Sequence, residues 1–215
     1  MIFLNSQSGR NKALVFPAGQ LYCSTEGTAL LSDPFDGTTI DTVNRWLTPV
    51  LAGTGTVTQA SGVMTFSVGT TASNAAALTS IESFGAIGQG SLKYGTLVQF
   101  EAGTGSGSSA LLPIGVNAFF GQGTPNASFT AATPLADAIG FERDIDGKFR
   151  AVTYAGNTRA IALDWKTFVA ADLTQYVVDG LPHLIVAYAR GDYIFFFVDD
   201  LENYKAVSPL AGPAT

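Results

Sequence analysis

Three carboxylates recur at every second position of FERDID: Glu142, Asp144 and Asp146. Successive side chains of a strand point to opposite faces, so this spacing places all three on one side of a ribbon. Carboxylates arrayed in that way can move protons or offer oxygen ligands to a hard cation. For calcium the pattern is thin. The DIDG at 144–147 lacks the later ligands of an EF-hand loop, and Asp33 and Asp36 make only a loose second cluster. Turn chemistry accounts for both sets, because an Asp side chain accepts hydrogen bonds from nearby backbone N–H groups.

Other reactive side chains are scarce. His183 is the only histidine, so a Ser-His-Asp or Cys-His site would have to use it. It follows Pro182 and starts an apolar run, which fits a structural role. Cys23 is the only cysteine, which excludes an intrachain disulfide and a Cys-based zinc site and leaves it as a small buried hydrophobe. GQGTPN at 121–126 lacks the glycine spacing and the Gly-Lys-Thr ending of a phosphate loop. Asn126-Ala127-Ser128 fits a glycosylation acceptor. The start MIFLNSQSGRNK, however, puts its basic residues after a very short apolar run, the wrong order for a secretion signal. The acceptor is therefore read as chance and the chain as made in a cytoplasm. No side chain is assigned a catalytic, cofactor-binding or metal-ligating role.

The totals fit a folded chain that avoids nucleic acid. Hydrophobic residues make up 47% of the 215 and charged residues 13%, which is incompatible with disorder. A net charge of -6 would repel a phosphate backbone, and no Lys/Arg cluster interleaves with aromatics. The most aromatic run, YIFFFV at 193–198, is far shorter than a membrane helix and reads as a strand buried on both faces.

Strands must position whatever the chain does. GVMTFSV at 62–68 alternates and pairs with the preceding GTVTQASG through a Ser-Gly turn. GTLVQFEAG at 95–103 reads as an inner strand. AIGFERDIDGKFRAVTYAG at 138–156 is a hairpin about Asp146-Gly147, a dipeptide suited to a type I′ turn. A second hairpin pairs His183–Ala189 with Tyr193–Val198 across Arg190-Gly191-Asp192. The best helical candidate is VAADLTQYVVDG, where Leu173, Tyr176 and Val177 share a face over one or two turns, with a loop as the equal alternative. Residues 102–110 read as a Gly/Ser connector and 121–134 as a long projecting loop. KALVFPAG and QLYCSTEGTALL show no nearby hairpin partner and read as an extended arm, whose apolar residues could be buried on a neighbouring subunit or on the domain itself.

With these elements placed, DPFDGTTIDTVNRW resembles the first-strand entrance of concanavalin A-like lectin/glucanase domains, a group that contains laminin G-like modules, legume-type lectins and family 16 glycoside hydrolases. Phe35, Asp36, Gly37 and Trp46 occupy the places of its Phe-Asp-Gly turn and core Trp. IGFERDIDGKFRAVTYAG looks like its central hairpin and GLPHLIVAYARGDYIFFFVDD like its late paired strands. The resemblance spans roughly Ser32–Asn203 and implies an all-β fold, an antiparallel two-sheet jelly-roll sandwich with an extended N-terminal arm. The expected organisation is an arm at 1–31, a lectin-like β-sandwich at 32–205 and a C-terminal tail at 206–215.

The same resemblance raises hydrolysis, since family 16 enzymes carry a Glu-x-Asp-x-Glu strand with a nucleophile and a general acid. Asp146 stands where that pattern has Glu, Arg143 where it has an apolar residue, and Asp146-Gly147 consumes the motif's end as a turn. With only Trp46 and Trp165 available, aromatic stacking for a sugar cleft is also sparse. Abundant Ala, Gly, Ser and Thr, a short extended arm before a lectin-like sandwich and no secretion signal resemble bacteriophage virion proteins, and that resemblance implies a non-enzymatic bacteriophage virion structural protein, a capsid decoration or a tail or fibre component, made in the host cytoplasm. No cofactor is expected. Its partners would be other virion proteins and its own copies as a homo-oligomer, docked through the arm, without nucleic acid or membrane insertion. The alternative is a carbohydrate-binding module that recognises a host-surface glycan through loops around Gly121–Pro134 and Thr153–Thr158. A family 16-like glycoside hydrolase ranks third.

Overall fold

A computed structural model describes residues 2–5, 12–15, 21–25, 28–33, 35–67, 75–81, 92–100, 118–123, 135–144, 146–190, 192–199 and 204–209. In chain order the strands are β1 (Ile2–Asn5), β2 (Lys12–Val15), β3 (Leu21–Thr25), β4 (Thr28–Asp33), β5 (Val50–Ala52), β6 (Thr56–Ala60), β7 (Val63–Ser67), β8 (Ala75–Ala77) and β9 (Leu92–Val98). They continue with β10 (Ala118–Gly123), β11 (Ala138–Arg143), β12 (Phe149–Ala155), β13 (Thr158–Ile161), β14 (Leu163–Asp164), β15 (His183–Arg190), β16 (Tyr193–Val198) and β17 (Tyr204–Pro209). A single helical turn, α1 (Thr174–Val177), precedes β15. The fold is all-β.

A seven-stranded sheet has the order β14-β17-β16-β15-β9-β3-β4, and a four-stranded sheet the order β10-β11-β12-β13. Three two-stranded ribbons, β1-β2, β5-β8 and β6-β7, complete the described strands. Neighbours in the large sheet are antiparallel, as are those in the small one. The two larger sheets share one core. Phe141, Phe149 and Ala151 from the small sheet join Ile185, Ala187, Ile194, Phe196 and Val198 from the large one. Phe141 meets Phe196 edge to face at 5.5 Å and stacks on Phe149 at 6.0 Å. Rings packed this way contribute beyond the area they bury.

Local chemistry explains the hairpins. Ser61 and Gly62 both take positive φ, 51° and 82°, between the paired Ala60 and Val63, as a type I′ turn demands. The expected I′ turn at Asp146-Gly147 is corrected. Instead of closing between Ile145 and Lys148, the chain turns with Gly147 N–H donating to Asp144 O and Asp144 N–H donating to Lys148 O, both at 2.9 Å, and Gly147 (φ 86°) takes the left-handed position. The hairpin of β11 and β12 is otherwise in the expected place, as is that of β15 and β16, where Arg190 pairs with Tyr193. β9 is the expected inner strand, between β15 and β3, though it begins at Leu92. β16 buries Ile194, Phe196 and Val198 on one face and only half-buries Phe195 and Phe197 on the other. α1 supplies the expected helical turn, with Val177 and the preceding Leu173 fully buried.

The segment expected as an extended arm is paired. Residues 2–15 contribute the ribbon β1-β2, and residues 21–33 form the hairpin β3-β4, with β3 joined to β9 in the large sheet. The boundary expected after residue 31 therefore falls inside β4. The boundary expected after residue 205 falls inside β17, which pairs with both β16 and β14. Val68, residues 101–117, residues 124–134 and residues 210–215 lie outside the described residues, and with them the Gly/Ser connector, most of the projecting loop and the end of the tail.

Candidate functional site

The row of acids lies on the side of the small sheet that faces away from the shared core. Along β11, Ile139 and Phe141 point into the core, and Arg143 is in register with Phe149 on that same face. Ala138 and Glu142 face the other way, where Leu135, Val152, Tyr154, Phe119 and Ile161 gather into a second apolar cluster around Ala138. Glu142 is 4% exposed and stands between Phe119 and Arg150 across the two ladders.

Every acid of the row is held by a cation or a phenol. Tyr154 Oη donates to Glu142 Oε2 at 2.7 Å, and Arg159 Nε donates to the same oxygen at 3.0 Å. Asp144 Oδ2 lies 2.9 Å from Arg150 Nη1 and 2.9 Å from Arg159 Nη2, the latter as an ion pair without hydrogen-bond alignment. Arg150 also grips Asp146 with both terminal nitrogens, at 3.0 and 2.6 Å. Burial raises the Glu142 pKa, against the pull of Tyr154 and Arg159. Burial and the bond to Glu142 raise the Tyr154 phenol as well. The hydrogen bonds from Arg150 hold Asp146 down to about 2. On the core side of the same strand, burial lowers the pKa of Arg143, while Asp146, Asp172 and Asp144 favour its charge.

This geometry is one of interlocked charges. A retaining pair of carboxylates needs one acid free to protonate a leaving group and one free to attack. Here Asp146 has left the strand for the turn, and Glu142 is sealed under Tyr154 and Arg159. Two glycines complete the seal. Gly121 and Gly140 are cross-strand partners, and a Cβ on Gly140 would fall 2.9 Å from the Phe119 ring and closer still to the Phe120 carbonyl. Their absence of side chains lets the Phe119 ring lie across the sheet, edge to face with Tyr154 at 6.4 Å.

Of the two segments proposed as glycan loops, residues 121–123 and 153–158 lie toward one end of this sheet, and 124–134 lie outside the described residues. β10 ends at Gly123, in register with Ala138, and Ala138 is in register with Tyr154. Thr153–Ala155 and Thr158 are strand residues, and only Gly156-Asn157 turns the chain, both with positive φ. That turn is tied down by Gly156 N–H to Asp137 Oδ1 at 3.1 Å and Asn157 N–H to Ala136 O at 2.9 Å.

His183 has carboxylates at both ring nitrogens: Asp199 Oδ2 is 2.9 Å from Nδ1 and Asp179 Oδ1 is 2.8 Å from Nε2. Only the doubly protonated ring donates from both. Burial opposes that charge, but Asp199 and Asp179 outweigh it and the His183 pKa is raised. The three side chains link the start of β15, the end of β16 and the turn after α1.

Asp33 is structural. Its carboxylate, 2% exposed, accepts from Phe35 N–H (2.9 Å), Arg45 Nη1 (3.0 Å) and Trp46 Nε1 (2.5 Å), while Phe35 stacks on Trp46 with centroids 6.0 Å apart. Asp36 is exposed and lends its carbonyl oxygen to Gln59 Nε2 at 2.7 Å. Among the described residues no three of His, Cys, Asp and Glu are grouped to hold a metal ion, and no helix is long and apolar enough to cross a membrane.

Sequence reasoning missed one exposed feature, the turn between Leu163 and Ala170. Asp164 Oδ1 accepts from the N–H groups of Lys166 and Thr167 and from the Thr167 hydroxyl. Asp164 O accepts from Phe168 N–H, and Asp164 N–H donates to Val169 O. This bracing puts Phe168 at φ 56°, a conformation few bulky residues adopt, with its ring 65% exposed beside the half-exposed Trp165. A capping Asp two residues before Lys166 was a legible signal for the turn. Nothing in DWKTF distinguishes an exposed aromatic from a buried one.

No protein-family model, curated protein or solved structure matches the chain.

Proposed function

We propose that this chain is a non-enzymatic structural protein of a bacteriophage virion, a concanavalin A-like jelly-roll sandwich that decorates a capsid or builds a tail or fibre and docks through its N-terminal segment. The observation that carries the docking role is the ribbon β1-β2, which pairs only with itself among the described strands. A lone two-stranded hairpin is marginal in water, and this one is written in apolar residues, IFLN and KALV. In this reading a neighbouring subunit supplies the surface on which the ribbon docks. The neutralised acid row supports a role without chemistry, because each carboxylate is already occupied by Arg150, Arg159 or Tyr154.

Because β3 and β4 belong to the large sheet, the test leaves them in place. Phe3 and Leu14 are in register across the ribbon, and aspartate at both should leave a folded chain that no longer enters particles made by the genome that encodes it. Incorporation at the unaltered level overturns the docking role. Turnover of a β-glucan that disappears in Glu142→Gln overturns the non-enzymatic one.

A second reading is favoured by the convergence of Gly123, the 135–137 segment and the Gly156-Asn157 turn at one sheet end, where a glycan-binding module would carry its loops. Saturable binding of the full chain on a glycan array, abolished by changes at Asn157, would establish it in place of the first.

A further inference from the structure

Three Asp-Gly steps occur in the chain, at 36–37, 146–147 and 179–180. An Asp followed by Gly is open to attack of the next main-chain nitrogen on the side-chain carboxyl, because glycine has no Cβ to shield that nitrogen. The backbone does not separate the three. Gly37, Gly147 and Gly180 take φ of 89°, 86° and 87°, the same left-handed position. What separates them is how each carboxylate is held.

Asp146 is restrained at both reacting groups. Its Oδ1 accepts from Lys148 N–H at 2.9 Å and Arg150 Nη1 at 3.0 Å, its Oδ2 accepts from Arg150 Nη2 at 2.6 Å, and Gly147 N–H already donates to Asp144 O. Asp179 Oδ1 accepts from Leu181 N–H and faces His183 Nε2, both at 2.8 Å. A carboxylate locked in such bonds is kept from the near-attack geometry that ring closure needs. The same bonds lower both pKa values and keep these acids ionised, the poorer electrophile. Asp36 lacks these restraints. It is exposed together with Gly37, Thr38 and Thr39, and among the described residues its carboxylate accepts no hydrogen bond and pairs with no cation. Only its carbonyl oxygen is engaged, by Gln59 Nε2 at 2.7 Å. A Cβ at Gly37 would meet nothing within 4 Å, so the step has open space around it.

We propose that Asp36-Gly37 is a site of spontaneous isoaspartate formation, and that the folded chain protects the other two Asp-Gly steps. Gly37 N attacks Asp36 Cγ. The N–Cγ bond forms, the bond from Cγ to the carboxyl hydroxyl breaks, and that hydroxyl leaves as water with the amide proton. Water then adds to either carbonyl of the resulting succinimide. Cleavage of the N–Cγ bond restores aspartate, whereas cleavage of the original peptide bond leaves isoaspartate. In isoaspartate the main chain is one carbon longer, and the oxygen that now accepts from Gln59 belongs to a free carboxylate. That carboxylate is the methyl acceptor for a carboxyl methyltransferase that uses S-adenosylmethionine. The change falls where the chain is tied to the hairpin β6-β7, through Gln59 to Asp36 O and Gly62 N–H to Phe35 O at 3.1 Å. This inference stands or falls independently of the virion reading.

The test ages the full chain in neutral buffer, with and without denaturing urea. Peptide mapping then separates isoaspartyl from aspartyl forms, and methyl transfer from labelled S-adenosylmethionine counts them after the urea is removed. In the folded chain isoaspartate should accumulate at Asp36 at least about tenfold faster than at Asp146 or Asp179, and in urea the three rates should converge. Asp36→Glu, which would have to close a larger ring, should remove the signal of the folded chain while leaving its circular dichroism unchanged. Folded-state rates at Asp146 or Asp179 that equal the rate at Asp36 overturn the proposal. So does an Asp36 that isomerises in urea and not in the folded chain, since the fold then restrains all three.

Discussion

Replacing Asp33 by alanine removes one acceptor from three donors at once, and the structure sets the size of the effect. Phe35 N–H and Trp46 Nε1 are buried with the residues that carry them, and each buried donor left without a partner costs about 1–3 kcal/mol. Arg45 is different. Its side chain is 38% exposed, so water can replace the carboxylate and its share is below about 1 kcal/mol. The expected loss for Asp33→Ala is therefore about 2–6 kcal/mol, a large part of the 5–15 kcal/mol typical of a folded domain. Arg45→Ala should cost less than about 1 kcal/mol. Urea unfolding followed by far-UV circular dichroism measures both. A slope of about 2–3 kcal/mol per molar turns the Asp33→Ala loss into a midpoint shift of about 0.7–3 M. If the two variants unfold within about 1 kcal/mol of each other, the carboxylate is not the node described here and the burial of Trp46 alone carries the entrance.

Three further outcomes follow from side chains already placed. The His183 pKa is raised, so its contribution to stability is complete below the ordinary value of 6.5 and is lost as pH rises through the folded value. As the only histidine it gives one imidazole signal by NMR. A midpoint at or below 6.5 contradicts the clamp, and His183→Gln should flatten the alkaline fall in melting temperature. Asp179 is lowered by the same bond, so its share is present above 3.8 and disappears as pH falls further. Phe168→Gly should raise stability by about 0.5–1 kcal/mol, because glycine holds the left-handed conformation without strain and little ring burial is lost. A lower melting temperature for that variant would mean that Phe168 packs on the fold.

What could be read from the chain was local. The Ser61-Gly62 turn, the hairpins of β11-β12 and β15-β16, and the short helical turn at Leu173–Val177 follow from neighbouring residues and their periodicity. The burial of Phe35 and Trp46 follows from their size. What escaped depends on register between distant segments. β3 meets β9 across a gap of about seventy residues, and no pattern within LYCST announces that partner. The acid row was legible as a row, but its neutralisation by Arg150 and Arg159 depends on which cross-strand residues stand opposite. The I′ expectation at Asp146-Gly147 failed because Asp144 O captured Gly147 N–H and lengthened the loop by closing a different turn. Trp165 and Phe168 escaped because an aromatic in a short run has the same spelling outside the core as within it.

The order of strands in the large sheet bears on how the chain comes into being. β17 supplies the partner for β14 and one flank of β16, while β3 waits for β9 and β9 for β15. During synthesis the meander β10 to β13 can close as soon as residue 161 has left the ribosome, from ladders between adjacent segments. The larger sheet closes only β3-β4 and β15-β16-β17 between adjacent segments and stays unfinished until residues 204–209 have emerged, so its assembly is a late event that leaves apolar strands open to chaperones or to each other.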